Sequence, residues 1–382
     1  MKLLRLVESI RAQPTAATAL LDAFVAENTF PLVEGDTATF FFYDGEPARA
    51  VQLMHWVFGL ETRQEFIRVL GTEAFYLSLE LPHSARVEYK FELHRGGRRR
   101  WIRDPLNPRR AFDPFGSNSV CPMPGYREPT WATVEEGCRR GRLETFAFDS
   151  EVWGDERTVT MYLPNEYKAH KRYPLLVCHD GRDYRRFASM VEVLDTLIHQ
   201  REVRPLVVAF VDGHERNVEY GANPRQPAFL VDELLPVIRS RYGVSRDADL
   251  TGLMGASFGG VATLHAAWER PGVFGRLLLQ SGSFVFTDIG HHGRSAVFDP
   301  VVAFVNAFRA DDARLEGRVH LSCGTFESLI QFNRAMLPLL QERGMVVRYA
   351  EAQDGHNWIA WRDRLRDGLA WLYPGHLWMW YD

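Results

Sequence analysis

Cysteine is scarce and scattered in this sequence. Cys121, Cys138, Cys178 and Cys323 are the only four in 382 residues, and none forms a CxxC pair or a zinc-ligand spacing. Neither a disulfide framework nor a cysteine-based metal site is therefore expected, and a reducing compartment fits best. Long apolar runs are missing too: no stretch approaches the roughly 18 uninterrupted apolar residues of a membrane-spanning helix. At the start, "MKLLRLVESIRAQP" sets Leu3, Leu6, Val7 and Ile10 at helical spacing, but Glu8 and Arg11 interrupt any signal-peptide core, so a short amphipathic helix is expected. An excess of positive charge is also absent. With a net charge of −4 no global field would hold a nucleic-acid backbone. The expectations are thus a cytoplasmic protein with no nucleic-acid partner and no membrane partner. "IGHHGR" sets His291 beside His292 but supplies no carboxylate or Cys at ligand spacing, so no metal is expected there.

What is present is an ordinary globular balance, 46% hydrophobic and 25% charged, over a length that exceeds most single cores. Two domains are expected. Before about residue 140 the apolar runs are short and alternating: "TATFFFYD" from Thr37, "VQLMHWVF" from Val51, "AFYLSLEL" from Ala74 and "RVEYKFELH" from Arg86. Such runs, broken by Gly, Pro and Asp, predict a small β-sandwich. "HRGGRRRW" reads as a hairpin tip turning at Gly96 and Gly97, its arginines solvated. The Pro-, Gly- and Asn-rich stretch from Asp104 to Pro129 reads as a linker with little regular structure, which places the boundary near residue 142.

From about Leu143 strand-sized apolar runs alternate with helical patterns, as a mostly parallel sheet flanked by helices requires. Two opening strands near Glu144 and Arg157 precede "YPLLVCHDG", "RPLVVAFVDG", "DLTGLMGAS", "GRLLLQSGS", "GRVHLSCGT" and "MVVRYAEA". Residues 143–382 are expected to form this second, α/β domain. The tail aromatics Trp378, Trp380 and Tyr381 read as packing residues.

The chemistry gathers at strand ends. Gly255, Ser257 and Gly259 form G-x-S-x-G between a strand and a helix, a turn that exposes the serine oxygen. A serine hydroxyl needs a base, and His356 in the Gly-containing loop after the last strand is the candidate. Serine, acid, histidine is the chain order in hydrolases of this build, which points to Glu327 in "CGTFES"; Asp311 and Asp312 precede that strand, and Asp354 lies too near His356 in sequence. Backbone N–H groups for an oxyanion are expected from Phe258 and from the loop holding Asp180, Gly181 and Arg182. Arg216, Glu219 and Tyr220 follow "LVVAFV" and should lie at the same sheet edge, where Arg216, Tyr220 and Asp180 are candidates for substrate binding and an Arg–Glu brace is the alternative for the loop. Arg182, Arg185 and Arg186 could meet an anionic substrate or simply be solvated.

The stretch from roughly Tyr173 to Tyr373 resembles the Putative esterase family of α/β-hydrolases, within it the enterochelin (enterobactin) esterases. The motifs that carry the resemblance are "HDG", "ERNVEYGANP", "FLVDELLPVIRSRYGV", "GASFGG", "QSGSF", "CGTFE" and "GHNWIAWR", in that order. The earlier "DPLNP" and "FGSNSV" resemble that family's immunoglobulin-like N-terminal sandwich. The resemblance implies Ser257 and His356 as catalytic, with Glu327 as third member in a family that also contains Ser-His dyads. It further implies a small-molecule ester substrate, in particular a bulky siderophore, ferric or iron-free, and no cofactor. His179 departs from the pattern, standing where the siderophore esterases tend to carry an apolar residue. The alternatives are a feruloyl or acetyl esterase acting on glycans and, in another class, a catalytically inactive binding protein.

Overall fold

The computed structural model describes residues 1–376, so Trp378, Trp380 and Tyr381 lie outside the described residues. The chain divides into two compact units: one is Met1–Glu128 joined by Thr325–Glu327 and Ala352–His356, and the other is the remainder.

The first unit is built on two antiparallel sheets. Its strands are β1 (Leu32–Glu34), β2 (Thr37–Phe42), β3 (Ala50–His55), β4 (Arg63–Glu65), β5 (Ile67–Arg68), β6 (Phe75–Glu80), β7 (Arg86–Arg95), β8 (Arg98–Ile102), β9 (Arg110–Asp113) and β10 (Gly116–Pro122). The orders are β1-β2-β6-β5 and β4-β3-β7-β10-β9, with β8 paired to β7. Alternation along β2 explains the layers. Phe40 and Phe42 enter the core shared with Val51, Leu53, Tyr89 and Phe91 of the second sheet, whereas Phe41 faces Leu3, Leu6, Ile10, Leu21 and Phe24. Those residues come from two N-terminal helices, Lys2–Ala12 and Ala17–Glu27, which cover the sheet's other face. The expected amphipathic helix is present, and so is the β7–β8 hairpin, with Gly96 and Gly97 at φ 57° and 74° as its tight turn demands.

One expectation is corrected. Two strands, β9 and β10, occupy the stretch read as a linker, and β10 pairs on both sides. Its turn-forming residues serve the fold through side chains rather than breaking it. The Tyr89 hydroxyl donates to Asp104 at 2.6 Å, and the Asn107 amide donates to the Tyr89 oxygen and the Val120 carbonyl. The Asp104 N–H donates to Ser119. All these polar groups are buried, and each finds a partner, as buried polar groups must.

The second unit holds an eight-stranded sheet of β11 (Arg142–Ser150), β12 (Asp155–Leu163), β13 (Leu175–His179), β14 (Val207–Val211), β15 (Thr251–Ala256), β16 (Arg276–Gln280), β17 (Arg318–Gly324) and β18 (Val346–Ala352). The order is β11-β12-β14-β13-β15-β16-β17-β18. β12 meets β11 and β14 antiparallel, while β14, β13, β15, β16 and β17 run parallel. Both faces are covered, which explains the unbroken apolar runs. Leu175, Val177, Val207 and Ala209 join one helix layer; Leu176, Cys178, Val208 and Phe210 join the other. After β13 the chain moves to β14 on one side and then to β15 on the other, so the strand order reverses between β13 and β15. Ligand crevices form outside the carboxyl ends of strands at such a reversal. Among the described residues, no helix is long and apolar enough to cross a membrane.

Candidate active site

Ser257 sits directly after β15, at φ 58° and ψ −121°, before the helix Phe258–Glu269. A non-glycine residue at positive φ is strained, and it persists here because the backbone around it is closely packed. A Cβ on Gly255 would lie 2.4 Å from the carbonyl carbon and oxygen of Gly259, so strand and helix can meet only if residue 255 has no side chain. The Ser257 N–H donates to the Gln280 carbonyl at 3.0 Å, and its own carbonyl accepts from the Ser283 N–H at 3.1 Å. Its hydroxyl lies 3.1 Å from that of Ser283.

Ser283, buried in the loop after β16, was not singled out from the sequence. Its loop is held by long-range bonds: Asn333 bonds both the N–H and the carbonyl of Gly282, and the Trp361 indole donates to Ser281. Only "QSGSF" marked this loop, and hydroxyl placement cannot be read from a motif.

Around the end of β13, Asp180 takes the left-handed conformation at φ 53° and precedes the helix Gly181–Phe187. Gly181 and Phe258 are each the first residue of a helix, where an N–H has no intrahelical acceptor. The Arg182 N–H is given instead to the Asp212 carboxylate at 3.0 Å. Arg216 bonds both Asp180 oxygens, at 2.5 and 2.7 Å, and reaches the Ala256 carbonyl beside the serine at 3.4 Å. Burial works against the Arg216 charge, but Asp180 outweighs it and holds the guanidinium above its ordinary range. Tyr220, expected at the substrate edge, is only 1% exposed. Its hydroxyl accepts from the Asp180 N–H at 3.5 Å, so it supports the loop from below instead of lining a surface. Glu219 pairs with Arg157 and accepts the His214 and Glu215 N–H groups, which makes it the loop's brace.

Beneath the serine turn lies His179, fully buried. Its Nδ1 is 3.0 Å from the Met254 carbonyl, which can only accept, so that nitrogen carries the proton; Nε2 then accepts from Gln226 at 3.2 Å. Burial pushes its pKa down to about 4, so the imidazole is neutral.

In the first unit, His356 and Glu327 come together although they leave different strands. His356 Nδ1 is 2.7 Å from Glu327 Oε2, and the carboxylate side chain is 1% exposed against 36% for the imidazole. A carboxylate accepts, so the proton of the neutral ring sits on Nδ1. Asp354 is engaged elsewhere, by Arg86 and by the Gly355 N–H.

A mixed sheet with a serine on a strained strand-to-helix turn defines an esterase-type α/β-hydrolase fold. The chain belongs to the Putative esterase family, which matches residues 150–372, and it is accordingly a hydrolase acting on ester substrates. It is 25% identical over 347 residues to the iron(III) enterobactin esterase of Dickeya dadantii, covering 82% of this chain and 80% of that one. The structure of ferric enterobactin esterase from Salmonella typhimurium superposes with a TM-score of 0.74 at 24% identity, covering 88% of this chain and 93% of that one. A ferulic acid esterase superposes with a TM-score of 0.51 at 19% identity, covering 61% of this chain and 98% of that one.

Proposed function

We propose that this protein is a serine esterase that opens the ester bonds of a bulky siderophore of the enterochelin trilactone type, through an acyl-enzyme. The single observation that carries the reading is the strained turn at φ 58° that puts the Ser257 hydroxyl at the end of β15, next to the strand-order reversal.

In this mechanism His356 Nε2 takes the Ser257 proton as Oγ attacks the ester carbonyl carbon. Glu327 keeps the ring in the productive tautomer and offsets the positive charge that forms on it. The oxygen of the tetrahedral intermediate is met by the N–H groups of Phe258 and Gly181, each worth roughly 3 kcal/mol in such a role. Collapse breaks the C–O bond, and the alcohol leaves with the proton held by His356. Water, deprotonated by the same imidazole, then attacks the acyl carbon and frees Ser257. The exposed guanidinium of Arg182, 74% accessible, supplies positive charge beside the crevice for a catecholate substrate. No cofactor enters these steps.

The siderophore reading is favoured over glycan-linked acyl esters by extent. The enterobactin esterase structure matches 88% of the chain, whereas the ferulic acid esterase is covered almost whole by 61% of it. The test is a substrate panel: ferric and iron-free catecholate trilactones against feruloyl and acetyl sugars, with a short aryl ester as reference and Ser257→Ala as control. Trilactone turnover at least 100-fold above the sugar esters, lost in Ser257→Ala, is expected. A wild type no faster than Ser257→Ala on every ester would leave only the reading as an inactive binding protein.

A further inference from the structure

The loops that carry His356 and Glu327 fold with the N-terminal sandwich, and the bonds that hold them start from sandwich residues. Arg86 opens β7 and is 3% exposed. Its N–H donates to the Gln353 carbonyl at 3.0 Å, and Nη1 lies 3.4 and 3.2 Å from the two Asp354 oxygens. Its Nη2 reaches Glu88 at 2.9 Å, and Glu88 is fixed in turn by Asn118. Ser84, two residues earlier, donates to the Gln353 side chain at 2.5 Å. Asp354 passes the constraint along: its carboxylate accepts from the Gly355 N–H at 2.7 Å, immediately before His356. Its carbonyl accepts from the Phe326 N–H at 3.2 Å, immediately before Glu327. Phe326 itself is anchored twice, with its ring in the sandwich core and its carbonyl taking the Phe58 N–H at 2.8 Å.

We infer that Arg86, acting through Asp354, is a positioning residue that sets the His356 ring against Glu327, so that the sandwich is part of the catalytic scaffold and not a separate binding module. The inference rests on the reading of Ser257, His356 and Glu327 given above. Its physical basis is the sensitivity of proton transfer to placement: a shift of about 1 Å imposed from outside the reacting groups can cost roughly 100-fold in rate. An ion pair with both ends buried is suited to resist such a shift, because moving either charge breaks hydrogen bonds that buried charged groups need. Asp354 and Glu88 together outweigh the effect of burial and hold the guanidinium further into its charged form.

The experiment measures kcat and KM for an activated aryl ester in the full-length protein, with far-UV circular dichroism and Tm for every variant. Arg86→Met should lower kcat 10- to 100-fold with KM within 3-fold. Arg86→Lys should fall between, since one ammonium cannot span Asp354 and Glu88 together. Asp354→Asn, which keeps the shape and the bond from Gly355, should lower kcat about 5-fold and decides the matter if Arg86→Met does not fold. In a His356→Ala background, Arg86→Met should change the residual rate by less than 2-fold, because the group it positions is gone. Wild-type kcat in both Arg86→Met and Asp354→Asn overturns the inference while leaving the esterase reading intact. An equal loss with and without His356 also overturns it, by reducing Arg86 to general support of the fold. A wild type no faster than Ser257→Ala overturns both.

Discussion

Replacing Glu327 by Gln removes one charge and almost no volume. The carboxylate is 2.7 Å from His356 Nδ1, and its side chain is 1% exposed, so solvent screens the pair little. A unit positive charge forming on the ring about 4 Å from the carboxylate centre would be stabilised by about 4 kcal/mol at an effective dielectric of 20. The amide oxygen of Gln can still accept from Nδ1–H, which retains about 1 kcal/mol of that as a neutral hydrogen bond. The loss in the transition state is then about 3 kcal/mol, or roughly 200-fold in kcat. If the amide turns its NH2 toward Nδ1, the ring must carry its proton on Nε2 and cannot accept from Ser257; the loss would then approach the 10,000-fold known for a wrong tautomer. KM should stay within about 3-fold, because Glu327 is buried behind the imidazole. The assay is steady-state hydrolysis of an aryl ester, with a pre-steady-state burst to count competent sites. A kcat within 3-fold of wild type would refute the reasoning and make the system a Ser-His dyad. A larger loss in Asp354→Asn than in Glu327→Gln would refute the assignment of the acid.

The remaining predictions concern the turn and its supports. His179 has a pKa near 4 in the folded protein against 6.5 for a free imidazole, so its neutral form contributes stability that is complete above about pH 6.5 and lost as pH falls toward 4. The lowering amounts to roughly 3 kcal/mol. His179→Leu should flatten the acid limb of urea-unfolding stability between pH 4 and pH 7, and an unchanged slope would assign that limb to other groups. Ser283→Ala removes a hydroxyl 3.1 Å from Ser257; a kcat drop of about 5-fold is expected for one hydrogen bond of roughly 1 kcal/mol, and no change would show that the contact does not orient the nucleophile. Gly255→Ala would push a methyl to 2.4 Å from the Gly259 backbone; activity should fall more than about 100-fold with a clear drop in Tm, and an active, equally stable variant would contradict the close approach.

Much of the architecture was legible because it is local. The central strands β13, β14 and β16 of the large sheet appear as apolar runs, since a strand covered on both faces has little room for polar side chains; "LLVC" and "LVVAFV" supply alternate residues to two helix layers. The serine turn was legible for the same reason, because a φ of 58° and a backbone contact closed to any Cβ leave their mark on five consecutive residues. Composition misled where turn residues serve the fold through side chains. Asp104, Pro105, Asn107 and Pro108 look like a linker, yet Asp104 and Asn107 form a buried cluster with Tyr89 that only a folded sandwich brings within bonding reach.

The sequence by itself therefore determined where the strands of the large sheet lie and which serine stands on the strained turn, since each depends on residues a few positions apart. Tertiary structure alone decided that Tyr220 is buried, that the Arg182 N–H is spent on Asp212, and that the Ser283 hydroxyl meets that of Ser257. It alone also decided that Arg86 meets Asp354, 268 residues away. The physical reason is one of range. Backbone preference and burial pattern act along neighbouring residues, whereas a hydrogen bond between distant side chains exists only after every intervening strand has taken its place.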